Sequence, residues 1–336
     1  MLRPPVTIPI AFVRGMVSGV AGRGFSQAQF LADAGIAPEL LHETGARVTA
    51  EQYVALFRLT MTRLDDECIG FMSRRMKIGS LALVARSAIS ATTLEIAIRR
   101  CAHALRLLQD DIELRLVRDG ELAGLAIEIA DPAVAARTFL HELLLRVFWR
   151  LLAWFAGGQL PAARFDFAFD TPAYAGDYGK VFPAPLRFGQ PRSALWFDAE
   201  RLQTPVRRTE EALRTFITDA QAQVIVPKRG DDLVSAGVRE HLQRTQPAWA
   251  DLAATADALH MAASTLQRRL ALEGTSFQSL KDELRRDLAI VRLNTSTVPL
   301  ASLAEELGFA DSAAFQRAFK GWTGSAPGAY RRRGTA

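Results

Sequence analysis

The stretch Leu266–Leu270, LQRRL, recurs in related form as Phe315–Phe319, FQRAF, close to the C-terminus. Each copy follows a short apolar segment and a bend, and Gly308 lies at the second bend. Two short helices joined by a tight turn are typical of a helix-turn-helix, whose second helix lies in the major groove of DNA. The repetition therefore predicts two helix-turn-helix units in tandem, and with them a DNA-binding regulator.

The residue types inside the repeat suit base recognition. Arginine can bond bidentately to guanine and glutamine to adenine. Gln267 with Arg268, and Gln316 with Arg317, supply both types at matched positions. The apolar ends of each copy are four residues apart and share one helix face, which leaves Gln and Arg on another. A solvated helix surface is the alternative explanation, but the repetition favours a DNA-reading role.

Residues from about 233 to 333 resemble the DNA-binding domain of the AraC/XylS family of bacterial transcription regulators. The resemblance is carried by Ser264–Leu270, Glu273–Phe277, Ala301–Phe309, Phe315–Lys320, Trp322–Gly324, Pro327 and Tyr330–Arg331. It implies two helix-turn-helix units that enter adjacent major-groove segments, joined by a rigid helix over Phe277 to Asn294. It implies double-stranded DNA as partner and these DNA-binding residues: Ser264, Thr265, Gln267, Arg268, Ser312, Ala313, Ala314, Gln316, Arg317 and Lys320.

The two reading helices differ in their expected starts. Asp311 and Ser312 are good N-cap residues, whose side chains accept hydrogen bonds from free backbone N–H groups. The first unit has Met261-Ala262-Ala263 at the corresponding place. The first reading helix is therefore expected to begin near Ala263, with a cap that either comes from another residue or is absent, at a cost of about 1 kcal/mol.

The N-terminal part shows a different pattern. Helical periodicity runs from Ile10 to about Leu64 and from 66 to 109, and period-two alternation over 112–129 then predicts a β-hairpin that turns at Asp119-Gly120. A long helix is expected from about Ala133 to Phe155, with short strands near 165–169 and 186–188. Blocks of helices and strands predict an α+β sensor domain, followed by the all-α C-terminal domain with two helix-turn-helix units.

Residues 10 to about 205 also resemble the arabinose-binding-type N-terminal domain found in one branch of the AraC family. The matching motifs include Gly79-Ser80-Leu81, Ala91–Leu94, Phe182–Gly189 and Leu195–Asp198. The resemblance implies that this domain senses a small molecule or dimerises, without naming a ligand. The expected domains are 1–205 for regulation, 206–232 for a linker helix and hinge, and 233–336 for DNA binding.

The predicted helix over 139–155 offers candidate effector contacts. Glu142, Arg146 and Arg150 are four residues apart on one stripe beside an apolar face, and an Arg could bind an acidic effector. Ordinary Glu to Arg surface pairs on a core helix are the favoured alternative. His141, with Arg146 and Arg150, completes the candidate effector site, although a lone His on such a helix is more often simply packed.

Composition is compatible with a two-domain regulator. The chain has 336 residues, 49% of them hydrophobic, with 41 Lys and Arg against 36 Asp and Glu. Neither Cys68 nor Cys101 belongs to a metal-ligand spacing. No signal peptide or membrane span is apparent, so a cytoplasmic bacterial protein is expected.

Enzymes are not favoured by the motifs. The sequence has no GxSxG elbow, no GxxxxGK[ST] loop and no HExxH, and its five His form no cluster. We therefore predict a non-enzymatic transcription regulator with no cofactor and no metal, and the resemblance to the AraC/XylS family implies an activator. That resemblance implies an effector, a homodimer and RNA polymerase as partners. The alternative is an interaction protein whose helix-turn-helix module no longer reads DNA.

Overall fold

The structure is a computed structural model that describes residues 5–223 and 234–331. Its helices are α1 Ile10–Ala21, α2 Gln27–Asp33, α3 Ala50–Leu64, α4 Ser80–Ala88, α5 Leu94–Leu108, α6 Pro132–Ala135, α7 Thr138–Phe155, α8 Glu210–Gln223, α9 Val234–Arg244, α10 Leu252–Ala258, α11 Ala263–Leu272, α12 Phe277–Thr295, α13 Leu300–Glu306 and α14 Ser312–Thr323. Its strands are β1 Thr7–Pro9, β2 Arg47–Thr49, β3 Ile112–Asp119, β4 Leu122–Ile129, β5 Arg164–Asp166, β6 Leu186–Arg187 and β7 Ser193–Asp198. The predicted fold class, an α+β N-terminal part and a helical C-terminal part, is confirmed.

The chain folds as two compact units. The helical unit comprises the described residues within 1–13, 31–53 and 228–336, and the sheet unit comprises those within 14–30 and 54–227. The N-terminal segments of the chain therefore contribute to the same unit as the C-terminal helices. The hinge predicted at 227–232 lies outside the described residues, while the helix predicted before it is confirmed as α8.

A five-stranded sheet forms the centre of the sheet unit, in the order β3-β4-β7-β5-β6. The predicted hairpin is confirmed, because β3 and β4 are antiparallel with Leu114 opposite Ile127 and Leu116 opposite Leu125. Gly120 in the turn has a φ of +58°, which glycine adopts without steric cost. Strands β5 and β6 confirm the two short strands expected after the hairpin, and they pair in parallel.

The long helix expected from Ala133 to Phe155 is interrupted. Asp131 caps α6 by accepting a hydrogen bond from the Ala133 N–H, and Arg137 then adopts an extended backbone before α7 begins. His141 Nε2 lies 2.8 Å from the Ala135 carbonyl oxygen, so an α7 side chain satisfies the end of α6. The expectation of one continuous helix is wrong because this capping and side-chain bonding stabilise a break.

The helical unit contains both predicted helix-turn-helix units. Helices α10 and α11 form the first and α13 and α14 the second, and α12 joins them over 19 residues. The apolar ends of both repeats are fully buried. This burial stabilises each unit by about 1.5–3 kcal/mol for each large apolar side chain.

The short antiparallel pair β1 and β2 belongs to the helical unit and was not expected from the sequence. Thr7 lies opposite Thr49 and Pro9 opposite Arg47. Helix α3 then starts at Ala50 with a reciprocal cap, in which the Gln52 N–H donates to Thr49 Oγ1 and the Thr49 N–H donates to Gln52 Oε1.

We expect Gly308→Ala to lower the free energy of unfolding of the helical unit by roughly 1–3 kcal/mol. Gly308 lies between α13 and α14 with a φ of +71°, and an added Cβ would lie 2.7 Å from Trp249 Cδ1. Backbone strain and a steric clash would therefore act together. Thermal unfolding followed by circular dichroism measures the loss. Gly328→Ala is the control, because a Cβ there meets nothing within 4 Å; equal losses in both variants would contradict the prediction.

Candidate nucleic-acid interface

The first reading helix, α11, follows a turn with a left-handed residue. His260 has a φ of +54°, and α10 before it is capped by Asp251, which accepts a hydrogen bond from the Ala254 N–H at 2.8 Å. Helix α11 begins at Ala263 after Ala262, whose side chain provides no cap. Of the two alternatives, a cap from another residue or none, the structure shows no side-chain cap.

Helix α11 presents a polar stripe beside its buried side. Ser264, Gln267 and Arg268 are exposed, Thr265 is half-buried, and Leu266 is fully buried. Positions three and four apart lie on one helix face, so Ser264, Gln267 and Arg268 share a surface.

The second reading helix, α14, begins with a side-chain cap. Asp311 accepts a hydrogen bond from the Ala314 N–H at 2.6 Å, which confirms Asp311 as the N-cap residue. The helix ends at Thr323, and the C-cap residue Gly324 has a φ of +77° and donates its N–H to the Lys320 carbonyl oxygen. Such a left-handed residue is a common helix terminator.

The exposed stripe of α14 repeats that of α11. Ala313, Gln316, Arg317 and Lys320 are exposed and spaced three or four residues apart, while Ser312 and Ala314 are half-buried. Gln316 Nε2 lies 3.2 Å from Ser312 Oγ, so Ser312 supports the Gln316 side chain. Both helices therefore present Gln and Arg on one exposed face.

The cations of the two stripes are open to an external anion. Within 5–223 and 234–331, none of Arg268, Arg317 and Lys320 has an ion-pair partner. By contrast, Arg292 pairs with Glu306 at 2.8 Å and Arg239 with Glu283 at 3.0 Å. The unit thus neutralises some of its cations internally and leaves those of the reading helices exposed.

One exposed residue beside the first stripe was missed by the sequence analysis. Leu272, the last residue of α11, has 82% of its surface exposed. Leu272 is apolar like Leu266 and Leu270, but it lies on a different side of the helix. Its position two residues after Leu270 could have shown that Leu272 is exposed, because a residue two positions along a helix points away from the buried face.

The candidate effector residues lie on α7 of the sheet unit. His141 is buried, with Nε2 near the Ala135 carbonyl oxygen and Nδ1 2.9 Å from Ser193 Oγ. Burial lowers the His141 pKa from its ordinary value. Arg146 and Arg150 are half-buried. His141 is thus packed as the alternative interpretation expects, and the effector role of the three residues stays a prediction.

Glu142 does not form the surface ion pair that the sequence favours. Only 1% of its surface is exposed. The hydroxyls of Tyr174, at 2.9 Å, and Tyr178 both donate to its Oε1 atom. Burial raises the pKa of Glu142 to about 7, although the two tyrosine hydrogen bonds and the nearby charge of Arg146 oppose the rise. The expectation of a surface ion pair is therefore wrong for Glu142, because phenols of the segment before β6 cover it.

The sheet unit also carries a surface groove of about 400 Å³ along α5. Its lining includes Ile96, Arg100 and His103 from α5 and Ser87 from α4. None of the candidate effector residues lines it. In the described part of the chain, no cluster of three or more His, Cys, Asp or Glu side chains is arranged to hold a metal ion. No described helix is both long enough and apolar enough to cross a membrane.

Comparison with known proteins agrees with this architecture. Residues 24–206 match the arabinose-binding N-terminal domain of AraC transcription regulators, and residues 255–333 match a helix-turn-helix domain. The ornithine utilization regulator of Pseudomonas aeruginosa is 28% identical over 325 residues, which cover 96% of each chain. The regulator VirS of Mycobacterium tuberculosis is 24% identical over 306 residues, covering 90% of this chain and 89% of VirS.

Among solved structures, the transcriptional regulator CdpR from Pseudomonas aeruginosa aligns over 97% of this chain and 99% of its own, with 18% identity and a TM-score of 0.33. The two helix-turn-helix units and the regulators matched along the chain define a DNA-binding transcription regulator of the helix-turn-helix class. The chain belongs to the AraC family of transcription regulators, with an arabinose-binding-type N-terminal domain.

Because the two reading helices start differently, we expect substitutions at their N-cap positions to change stability in opposite directions. Ala262→Ser should raise the stability of the first unit by about 1 kcal/mol, because Ala262 already has the extended backbone of an N-cap residue. Asp311→Ala should lower the stability of the second unit by about the same amount. Thermal unfolding of each purified variant measures both shifts, and shifts of the same sign would contradict the assignment of the caps.

Glu142 should make stability depend on pH. Its folded pKa of about 7 lies above its ordinary value of 4.5, so between these values the folded chain binds a proton that the unfolded chain has lost. The stabilisation from this group is therefore complete below about pH 4.5 and is lost as the pH rises through 7. Glu142→Gln should remove this dependence.

Urea unfolding at several pH values between 4.5 and 8 would measure the effect as the difference between the natural chain and Glu142→Gln. Taking the difference matters because the lowered pKa of His141 gives an opposite slope, with stability lost as the pH falls. A difference that does not change with pH would show that Glu142 ionises normally.

Proposed function

We propose that the chain is a sequence-specific DNA-binding regulator that activates transcription in response to a small-molecule effector. The observation that carries the DNA-reading part is the matched pair of exposed stripes, Gln267 with Arg268 on α11 and Gln316 with Arg317 on α14. Both residue types can bond bidentately to base edges. Their side chains are held outward because the neighbouring apolar residues are buried.

The connector has a suitable length for two contacts on one face of DNA. Helix α12 has 19 residues, which correspond to about 28 Å at 1.5 Å per residue. Successive major-groove segments on one face of B-DNA are about 34 Å apart. The length of α12 therefore supports insertion of α11 and α14 into adjacent segments.

Base contacts and phosphate contacts have separate roles in this proposal. Gln267, Arg268, Gln316 and Arg317 read base edges, and Ala313 contacts thymine methyl groups. Lys320 and the polar side chains of Ser264, Thr265 and Ser312 contact phosphates or neighbouring bases and set the register. The small side chain of Ala314 allows close approach of α14.

The regulatory part of the proposal rests on the family. The arabinose-binding-type match over residues 24–206 supports effector sensing by the N-terminal part of the chain. In this proposal residues 1–205 are regulatory, 206–232 are a linker, and 233–336 bind DNA. The name of the Pseudomonas aeruginosa relative, an ornithine utilization regulator, supports control by a small metabolite. A cytoplasmic location, a homodimer on DNA and contact with RNA polymerase complete the proposal.

The first test is binding of the purified chain to the DNA upstream of its own neighbouring genes, with an unrelated fragment as competitor. Selective retention is expected, with an affinity that falls steeply as salt rises because phosphate contacts release counterions. No binding to either fragment, with and without candidate effectors, would favour an interaction module that no longer reads DNA.

Substitutions on the exposed faces of α11 and α14 test which residues read the bases. Arg268→Ala and Arg317→Ala should each relax the preference at one base pair by about 1–3 kcal/mol. Arg269→Ala is the matched control, since it removes the same charge from an exposed position beside Arg268 and should weaken all sequences alike. Affinities for a panel of single-base substitutions measure the effect. Uniform weakening by Arg268→Ala and Arg317→Ala would reject their role as base readers.

A further inference from the structure

The helical unit contains a buried polar cluster that joins β1 and β2 to α12, across 280 residues of the chain between Thr7 and Asp287. The Thr7 hydroxyl donates to Asp287 Oδ1 at 2.6 Å and accepts from Arg47 Nε at 2.8 Å, while Arg47 Nη2 donates to the Thr7 carbonyl oxygen at 2.9 Å. Thr7, Arg47 and Asp287 are 4%, 6% and 3% exposed. Thr7 and Arg47 come from β1 and β2, and Asp287 from the middle of α12.

A cluster of this kind holds β1, β2 and α12 in one arrangement. A buried charge is costly unless it is paired and hydrogen-bonded. A shift of α12 along β1 and β2 would separate Asp287 from the Thr7 hydroxyl and leave both with unmade hydrogen bonds. Gln52 Nε2 adds a second bond to α12 at Asn294 Oδ1, at 2.8 Å. The N-terminal segment thus holds the connector at its middle and near its C-terminal end.

The same segment also supports the second reading helix. The Arg47 N–H donates to the Tyr330 hydroxyl at 3.2 Å, and the Tyr330 ring packs edge-on against Phe319 of α14 with centroids 5.1 Å apart. The loop before β2 reaches the end of α14. A Cβ added at Gly45 would lie 3.1 Å from the carbonyl carbon of Thr323, the last residue of the helix.

The first reading helix has a different support. Helix α11 packs against α9 and α10. Glu273, which follows α11, accepts hydrogen bonds from the N–H groups of Val234 at 2.8 Å and Ser235 at 3.0 Å, and so ties α11 to the start of α9. The first reading helix is therefore anchored by α9 and α10, and the second by the N-terminal residues.

We propose that the N-terminal segment, residues 5–9 and 43–52, is a positioning element for the second reading helix, and that Thr7, Gly45 and Arg47 are its positioning residues. None of them needs to touch DNA. They act through α12, Tyr330 and the end of α14. In this way they set the orientation and position of the exposed face of α14 that carries Arg317. The inference rests on the proposed DNA-reading function.

The test uses the full chain and a panel of operator duplexes with single-base substitutions. Arg268→Ala and Arg317→Ala first identify the bases that depend on each reading helix. Thr7→Val then removes the hydroxyl with little change in shape, and Gly45→Ala adds one methyl group against the end of α14. Both variants should lose roughly 2- to 30-fold of the preference at the bases that depend on Arg317, the usual range for coupling through a packed network. Preference at the bases that depend on Arg268 should be retained.

Two controls separate positioning from general damage. Thr7→Ser keeps the hydroxyl and should restore the natural preference. Gly328→Ala adds a methyl group in the same unit where nothing lies within 4 Å, and should also leave the preference unchanged. Thermal unfolding of every variant is measured alongside.

Equal loss at both sets of bases, or unchanged preference in both Thr7→Val and Gly45→Ala, would overturn the inference. Failure of the proposed function gives a different result, because the natural chain itself would then show no sequence-selective binding. Selective binding by the natural chain with no effect of the two variants would reject only the positioning role.

Discussion

Burial of two apolar side chains one turn apart is the constraint on which both reading helices depend. Leu266 with Leu270, and Phe315 with Phe319, are fully buried. An α-helix turns through about 100° per residue, so fixing positions i and i+4 inward directs positions i+1 and i+2 away from the core. The hydrophobic packing that stabilises each unit therefore also sets the direction of its Gln and Arg side chains.

Two buried carboxylates show two ways in which the fold satisfies a polar group. Asp287 receives a hydroxyl from Thr7, which lies 280 residues earlier in the chain, and the Arg286 guanidinium at 3.1 Å. Glu142 instead receives two phenol hydroxyls, and burial raises its pKa. Each carboxylate also has an arginine nearby, Arg286 beside Asp287 and Arg146 near Glu142. The first arrangement joins β1 to α12 within the helical unit, and the second packs the segment before β6 onto α7.

Much of the architecture could be predicted because it is encoded locally. The hairpin of β3 and β4 followed from alternation and a glycine turn, and the reading helices followed from apolar spacing. The strands β1 and β2 have three residues each, which is too short for a period to emerge. In β7, five consecutive residues are buried, so the alternation that marks a half-exposed strand is absent. The break between α6 and α7 depends on a side chain six residues away in sequence.

The sequence by itself determined the family, the two reading helices and the outward direction of Gln267, Arg268, Gln316 and Arg317, because helical periodicity is a property of neighbouring residues. It also determined the cap of the second reading helix, Asp311, since that cap is a single side chain at the helix start. Only the tertiary structure decided that Thr7 and Arg47 meet Asp287, and that Tyr174 and Tyr178 cover Glu142. Those partners are distant in sequence, and a buried polar group is satisfied by whatever donor the fold brings to it, which no local pattern specifies.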